Sequence, residues 1–178
     1  MTDSELASLI RQSLLAVMEG QSIDGFPVIG AFQPTTQGRV PDGIYFNPFN
    51  DNRYGWQYRT DTYDELSGDQ THTESQWHES TFQVQGFARQ NPADLTLPTA
   101  KDLTDTVAML MQSQPFRQLL RDQGVGIQRV TQVRAPFFVN DNGNFEQNPS
   151  FDITFSHLRT LEQVTPSITK TEFNKTRV

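Results

Sequence analysis

Residues 52–88 read NRYGWQYRTDTYDELSGDQTHTESQWHESTFQVQGFA, and no other stretch limits the fold as much. Both tryptophans, three of the four tyrosines and six acids (Asp61, Asp64, Glu65, Asp69, Glu74, Glu79) fall inside it. Ser67-Gly68-Asp69 supplies a tight turn in its middle. The block therefore reads as one long hairpin that stands partly proud of a small domain. On the return strand Phe82, Val84, Gly86 and Ala88 share one parity, and Gln83, Gln85 and Phe87 the other, which predicts one buried and one open face. An element of this kind usually touches a neighbouring chain rather than doing chemistry.

A chain of 178 residues is enough for one domain with a proper core and too short for two of ordinary size. Only 35% of it is hydrophobic, which leaves a share of the chain as polar extension. There is no cysteine, so disulfides and thiolate metal sites are excluded. No apolar run approaches the ~20 residues that span a bilayer. The start, MTDSELASLIRQ, lacks the basic flank and apolar run of a signal peptide, so we expect no export by the usual route.

The formal net charge is -7, unevenly spread. Residues 60–80 hold six acids and no lysine or arginine. Such a surface repels phosphate backbones, which argues against sequence-specific nucleic-acid binding and is compatible with DNA sliding past.

Around the hairpin the chain alternates between helical and extended patterns. Thr2 with Glu5 forms a capping box, and Leu6, Leu9, Ile10, Leu14, Val17 and Met18 recur at helical spacing, predicting a helix over 3–19 with Gly20 as its stop. Short strands are predicted at 27–32 and 42–48, the second broken by Asn47-Pro48, with a turn at 50–52 leading into the hairpin. Thr99 with Asp102 caps a second helix whose buried face is Leu103, Val107, Leu110 and Met111. A short helix follows at 116–122. A last hairpin is expected, with Val125, Ile127, Val133 and Ala135 on one parity, Asp141-Asn142-Gly143 at the turn, and Phe151, Ile153 and Phe155 inward on the return. Beyond Leu158 the chain is Thr-rich and polar, and reads as an arm that orders against something else. Strand runs with helices between them, without βαβ alternation, indicate an α+β fold. The expected form is a largely antiparallel or mixed sheet with two main helices on one face, a long protruding β-hairpin and an extended C-terminal arm. Residues 1–158 would be the domain and 159–178 the arm.

No constellation of catalytic residues can be assembled. His72 and His78 are six apart on one strand face, roughly 20 Å when extended, and with His157 they read as ordinary polar strand members rather than metal ligands. The acids of 60–80 have no nucleophile or oxyanion hole beside them and read as a solvated face. Gly124-Val125-Gly126 leads from a helix into a strand, the reverse of a phosphate cradle. Tyr54, Trp56 and Tyr58 share a parity, and with Trp77 they form either the core of the sheet or a subunit interface. No enzyme activity, cofactor or metal is expected.

The segments YGWQYR (54–59), WHESTFQVQGFARQNP (77–92), PTAKDLTDTVAMLMQS (98–113) and GVGIQRVTQVRAPFFVNDNGNFEQNPSFDITFSH (124–157) together resemble neck or tail-terminator-like proteins of the tailed-bacteriophage head-to-tail connector. The resemblance covers about residues 40–158. It implies a small α+β subunit that assembles into a hexameric ring where the tail tube meets the neck. There the ring would stop tube growth, dock to the tail tube or sheath and to head-completion connectors, and leave a channel for genomic DNA. It carries no catalytic residues. On this basis Tyr54, Trp56, Tyr58 and Trp77 are the candidate subunit interface, and Asp61, Asp64, Glu65 and Asp69 the candidate channel-facing or inter-ring acids. Two other functions fit the same residues: a tail-tube or other connector ring, and a carbohydrate-binding adhesive module using the aromatic face.

Overall fold

A computed structural model of the chain describes residues 1–19, 21, 23, 25–30, 42–89, 94, 96–139 and 145–166, with backbone alone at 137–139, 145 and 146. In chain order the elements are α1 (Asp3–Met18), β1 (Val28–Gly30), β2 (Gly43–Asp64), β3 (Asp69–Phe87), α2 (Ala100–Gln112), α3 (Gln114–Arg121), β4 (Gly126–Val130), β5 (Phe137–Val139), β6 (Phe145–Gln147) and β7 (Ser150–Pro166). The architecture is α+β. A mixed five-stranded sheet runs β1-β2-β3-β7-β4, and β5 and β6 form a separate two-stranded ladder. Among the described residues only the β1–β2 pairing is parallel.

Both predicted capping boxes are present. The Thr2 hydroxyl accepts from the Glu5 amide at 3.3 Å while the Glu5 carboxylate accepts from the Thr2 amide at 2.6 Å, satisfying two of the donors a helix start leaves open. Thr99 and Asp102 repeat the arrangement at α2. Leu6, Ile10, Leu14 and Met18 of α1 are buried, whereas Leu9 and Val17 lie half-buried at the rim. Ser113 closes α2 and caps α3, so the two helices meet without a loop. Gly20 and the turn at 141–143 lie outside the described residues, as do parts of the strand expected at 27–32 and of the expected arm.

The core lies between the three helices and one face of the sheet. Ile44 and Phe46 of β2, Phe82 and Val84 of β3, and Phe151, Ile153 and Phe155 of β7 meet Leu103, Val107 and Met111 of α2 and Phe116 and Leu120 of α3. The parity read for Phe82, Val84 and Gly86, and for Phe151, Ile153 and Phe155, is the observed inward face. Gly86 is required where it stands. A Cβ there would lie 2.4 Å from the Thr104 hydroxyl of α2, so the helix rests on bare backbone.

Three expectations change. Residues 42–64 are not a short strand, a turn and a hairpin arm but a single strand of 22 residues. The Asn47-Pro48 break becomes a one-residue bulge between Pro48 and Asn50, where a proline within a strand is accommodated. The last hairpin forms, β4 pairing antiparallel with β7, Arg134 bridging Ser150 and β5 pairing with β6, but a register shift between Ile127 and Arg129 ends the single parity expected for residues 125–135. Finally, residues 159–166 are not free to order elsewhere: they continue β7 and pair with residues 76–69 of β3.

Candidate functional site

The sheet has two halves. Toward α2 its strands are covered. Beyond about Phe49 of β2, Trp77 of β3 and Leu158 of β7, the same three strands run on with no described helix over them, and every β2 residue from Phe49 to Asp64 is exposed. At about 3.3 Å per residue, residues 69–77 of β3 and 158–166 of β7 make this outer part a three-stranded blade roughly 25–30 Å long. Its tip is the four-residue turn 65–68, with Leu66 99% exposed at the apex. The blade is wider than the hairpin read from the sequence, because β7 lines β3 along its whole length from Ser150 to Pro166.

The candidate interface aromatics lie together near the blade's root. Tyr54 stands opposite Trp77, and their rings stack with centroids 6.4 Å apart. Tyr58 is opposite Ser75, hence on the same face. Between Tyr54 and Tyr58 the register gains two residues, and Gly55 adopts φ +72°, a conformation glycine enters without the steric cost other residues meet. Trp56 sits in this bulge with 96% of its surface exposed. Tyr54, Tyr58 and Trp77 are each between about a third and a half exposed, so none of the four belongs to the sheet core, which removes one of the two readings made from parity. An indole standing free in water is a large unburied apolar surface.

The four candidate acids do not share one face. Asp61 lies opposite His72, bonded to its Nδ1 at 2.6 Å and to Arg59 Nε at 2.8 Å. The His72 bond, then the Arg59 bond, hold its carboxyl below the ordinary aspartate range. Asp64 and Asp69 are the last opposed pair of the hairpin. Asp64 folds into the turn, accepting from the Leu66 amide at 2.9 Å and the Ser67 hydroxyl at 3.0 Å, and these bonds lower its pKa. Glu65 belongs to the turn itself. Asp61 and Asp64 therefore serve the blade's own structure, Asp61 compensated by Arg59 and His72.

A second cluster was not foreseen. Where the covered half meets the blade, His78 of β3 and His157 of β7 are directly opposed, both buried, with ring centroids 5.8 Å apart. Asp51 of β2 accepts from His78 Nδ1 at 3.0 Å and from the Ser80 hydroxyl at 2.8 Å; Ser80 Oγ is also 2.9 Å from His157 Nε2. Partial burial opposes ionisation of Asp51, but the Ser80 and His78 bonds outweigh it and the pKa is lowered. His157 is pushed down, first by burial and then by His78. Serine, histidine and aspartate in contact invite comparison with a nucleophilic triad, and the proton positions run the wrong way. The single Ser80 proton goes to the Asp51 carboxylate, the stronger acceptor, so His157 Nε2–H must donate to Ser80 and cannot act as its base. The cluster ties β2, β3 and β7 together. Only register brings these residues together, and no local motif announces them. Among the described residues no three histidines, cysteines or acids converge on a metal position.

The described residues form a helix-backed mixed sheet whose central strands outgrow their core and carry an exposed aromatic bulge. The chain belongs to a family of bacteriophage structural proteins of the gateway type. It is the family of E217 gateway protein gp29, whose model matches residues 5–167 and so takes in all three helices, the blade and the root cluster. No individually curated protein matches the chain.

Proposed function

We propose that this protein forms a closed ring of six copies at the head–tail junction of the virion, ending the tail tube, docking it to the neck and leaving an axial passage for DNA. Family membership supplies the virion and gateway setting. What carries the ring is the blade: a long three-stranded extension with Trp56 almost wholly exposed in a subunit that otherwise has a complete core. In a cyclic assembly each copy uses two unlike patches, and a protruding element offered to the next subunit is one way to supply them.

In this reading Tyr54, Trp56, Tyr58 and Trp77 seat the blade against the neighbouring copy, Trp56 as the anchor and the stacked Tyr54–Trp77 pair as its support. Asp61, Asp64, Glu65 and Asp69 present acidic surface to the passage or to an adjacent ring, with Glu65 and Asp69 contributing most because Asp61 and Asp64 are engaged within the blade. The partners are the tail tube or sheath protein on one side and head-completion connectors on the other. The mechanism is assembly without catalysis. Native mass spectrometry and electron microscopy of the purified protein test this: rings of six with a central hole are expected. An obligate monomer at every concentration, together with virion maps that place the chain away from the head–tail junction, would overturn it.

A further inference from the structure

The root cluster contains an atom that finds no partner among the described residues. His157 is 1% exposed and its Nδ1 is buried with no hydrogen-bond partner. Since Nε2 carries the proton given to Ser80, Nδ1 of the neutral ring is a bare acceptor. Protonation would turn that quiet lone pair into a charged N–H with nothing to receive it, 5.8 Å from a second buried imidazole. The charged groups around it do not rescue it. His78 faces it from β3, with Arg53 beyond His78 on β2; from the N-terminal side come the Met1 amino group, bonded at 3.1 Å to the Leu158 carbonyl, and Asp3, 3.5 Å from Arg159. Asp51 is the one carboxylate held within the cluster, and it is already shared between His78 and Ser80.

We infer that His157, buried opposite His78, is an acid-released latch at the root of the blade. With His157 neutral, β2, β3 and β7 are clamped through Asp51 and Ser80 and the blade is held at a fixed angle to the helix-covered half. Once acid protonates His157, its new N–H finds no acceptor among the described residues, the clamp opens, and the blade loosens while the core beneath α2 stays packed. The inference concerns a single subunit and does not depend on ring formation.

Amide exchange followed by mass spectrometry on the full chain, at about pH 7.5 and about pH 5 and corrected for the intrinsic pH dependence of exchange, tests it. Exchange around residues 50–54, 76–80 and 156–160 should become several-fold faster at the lower pH, with residues 82–86 and 103–111 unchanged. His157→Gln keeps a donor for Ser80 and cannot be protonated, so it should lose the response. Continued protection of the root in acid, loosening of the whole chain together, or an undiminished response in His157→Gln would each overturn the latch. Should His157→Gln fail to fold, imidazole NMR of the native protein decides: the latch requires His157 to be neutral with its proton on Nε2 and to titrate below the ordinary histidine range, and an ordinary titration rejects it.

Discussion

The covered half of the sheet and the blade are made from the same three strands, yet different forces hold them. In the covered half Phe82, Phe151, Ile153 and Phe155 are sealed under helices, and burial of such side chains contributes about 1.5–3 kcal/mol each before entropy is counted. In the blade the strands are held by ladder bonds and small cross-strand contacts, such as Ser75 with Thr160 at 3.2 Å and Asp61 with His72. The exposed Asp61–His72 pair is worth little by itself, and a cross-strand hydroxyl pair adds only a fraction of a kcal/mol to about 1 kcal/mol. One half can therefore stand alone, and the other persists as a continuation of it. This division of labour leaves the blade free to carry surface that a self-sufficient domain would avoid.

The largest effect should come from the covered half. Phe155→Ala empties a fully buried position and should cost about 3–5 kcal/mol in chemical denaturation, enough to leave the chain poorly folded. A loss below about 1 kcal/mol would mean that the two halves are less distinct than their burial indicates. Trp56→Ala sharpens the contrast from the other side. Unfolding of the monomer should shift by no more than about 0.5 kcal/mol, while subunit association weakens by about 2 kcal/mol or more. Native mass spectrometry showing undisturbed rings would remove Trp56 from the interface.

At the boundary the effect should depend on pH. The lowered pKa of Asp51 means that its carboxylate stabilises the fold above the ordinary value of 3.8 and that this contribution fades as pH falls through the folded value. Asp51→Asn should accordingly lower the melting temperature at neutral pH and converge with the native protein in strong acid. His157 acts in a higher window. With its folded pKa below 6.5, stability is full above that value and declines as pH drops from there through the folded pKa. The smallest effect belongs to Asp61→Asn on the open blade, where no change in denaturation midpoint is expected at physiological salt; a clear drop would show that surface pairs do hold the blade.

Much of this was readable from the chain. Capping chemistry is local, so Thr2 with Glu5 and Thr99 with Asp102 set both helix starts, and a turn of Ser67, Gly68 and Asp69 fixed the tip of the hairpin. Inward parity in β3 and β7 was also legible, because Phe82, Val84, Phe151, Ile153 and Phe155 alternate without interruption. What failed depends on partners distant in sequence. Pro48 looks like a strand end until its bulge is seen against Thr81 and Phe82. The polar run after Leu158 looks unable to fold until β3 is found lying beside it. For the candidate surface, the aromatic row was apparent, but its exposure was undecided, since Tyr54 and Tyr58 would alternate identically in a core. The latch residues could not be grouped at all, because Asp51, His78 and His157 come from three strands that only the register aligns.

The bulge at Gly55 adds two residues to β2, and two is the number that leaves every later side chain on its original side of the sheet. A single added residue, as at Pro48, reverses them all. The protruding indole is thus a removable fitting: deletion of Gly55 and Trp56 together would take it away while Tyr58 through Asp64 kept their orientation. A lineage could lengthen, shorten or exchange this exposed fitting in one genetic step without redesigning the strand that bears it.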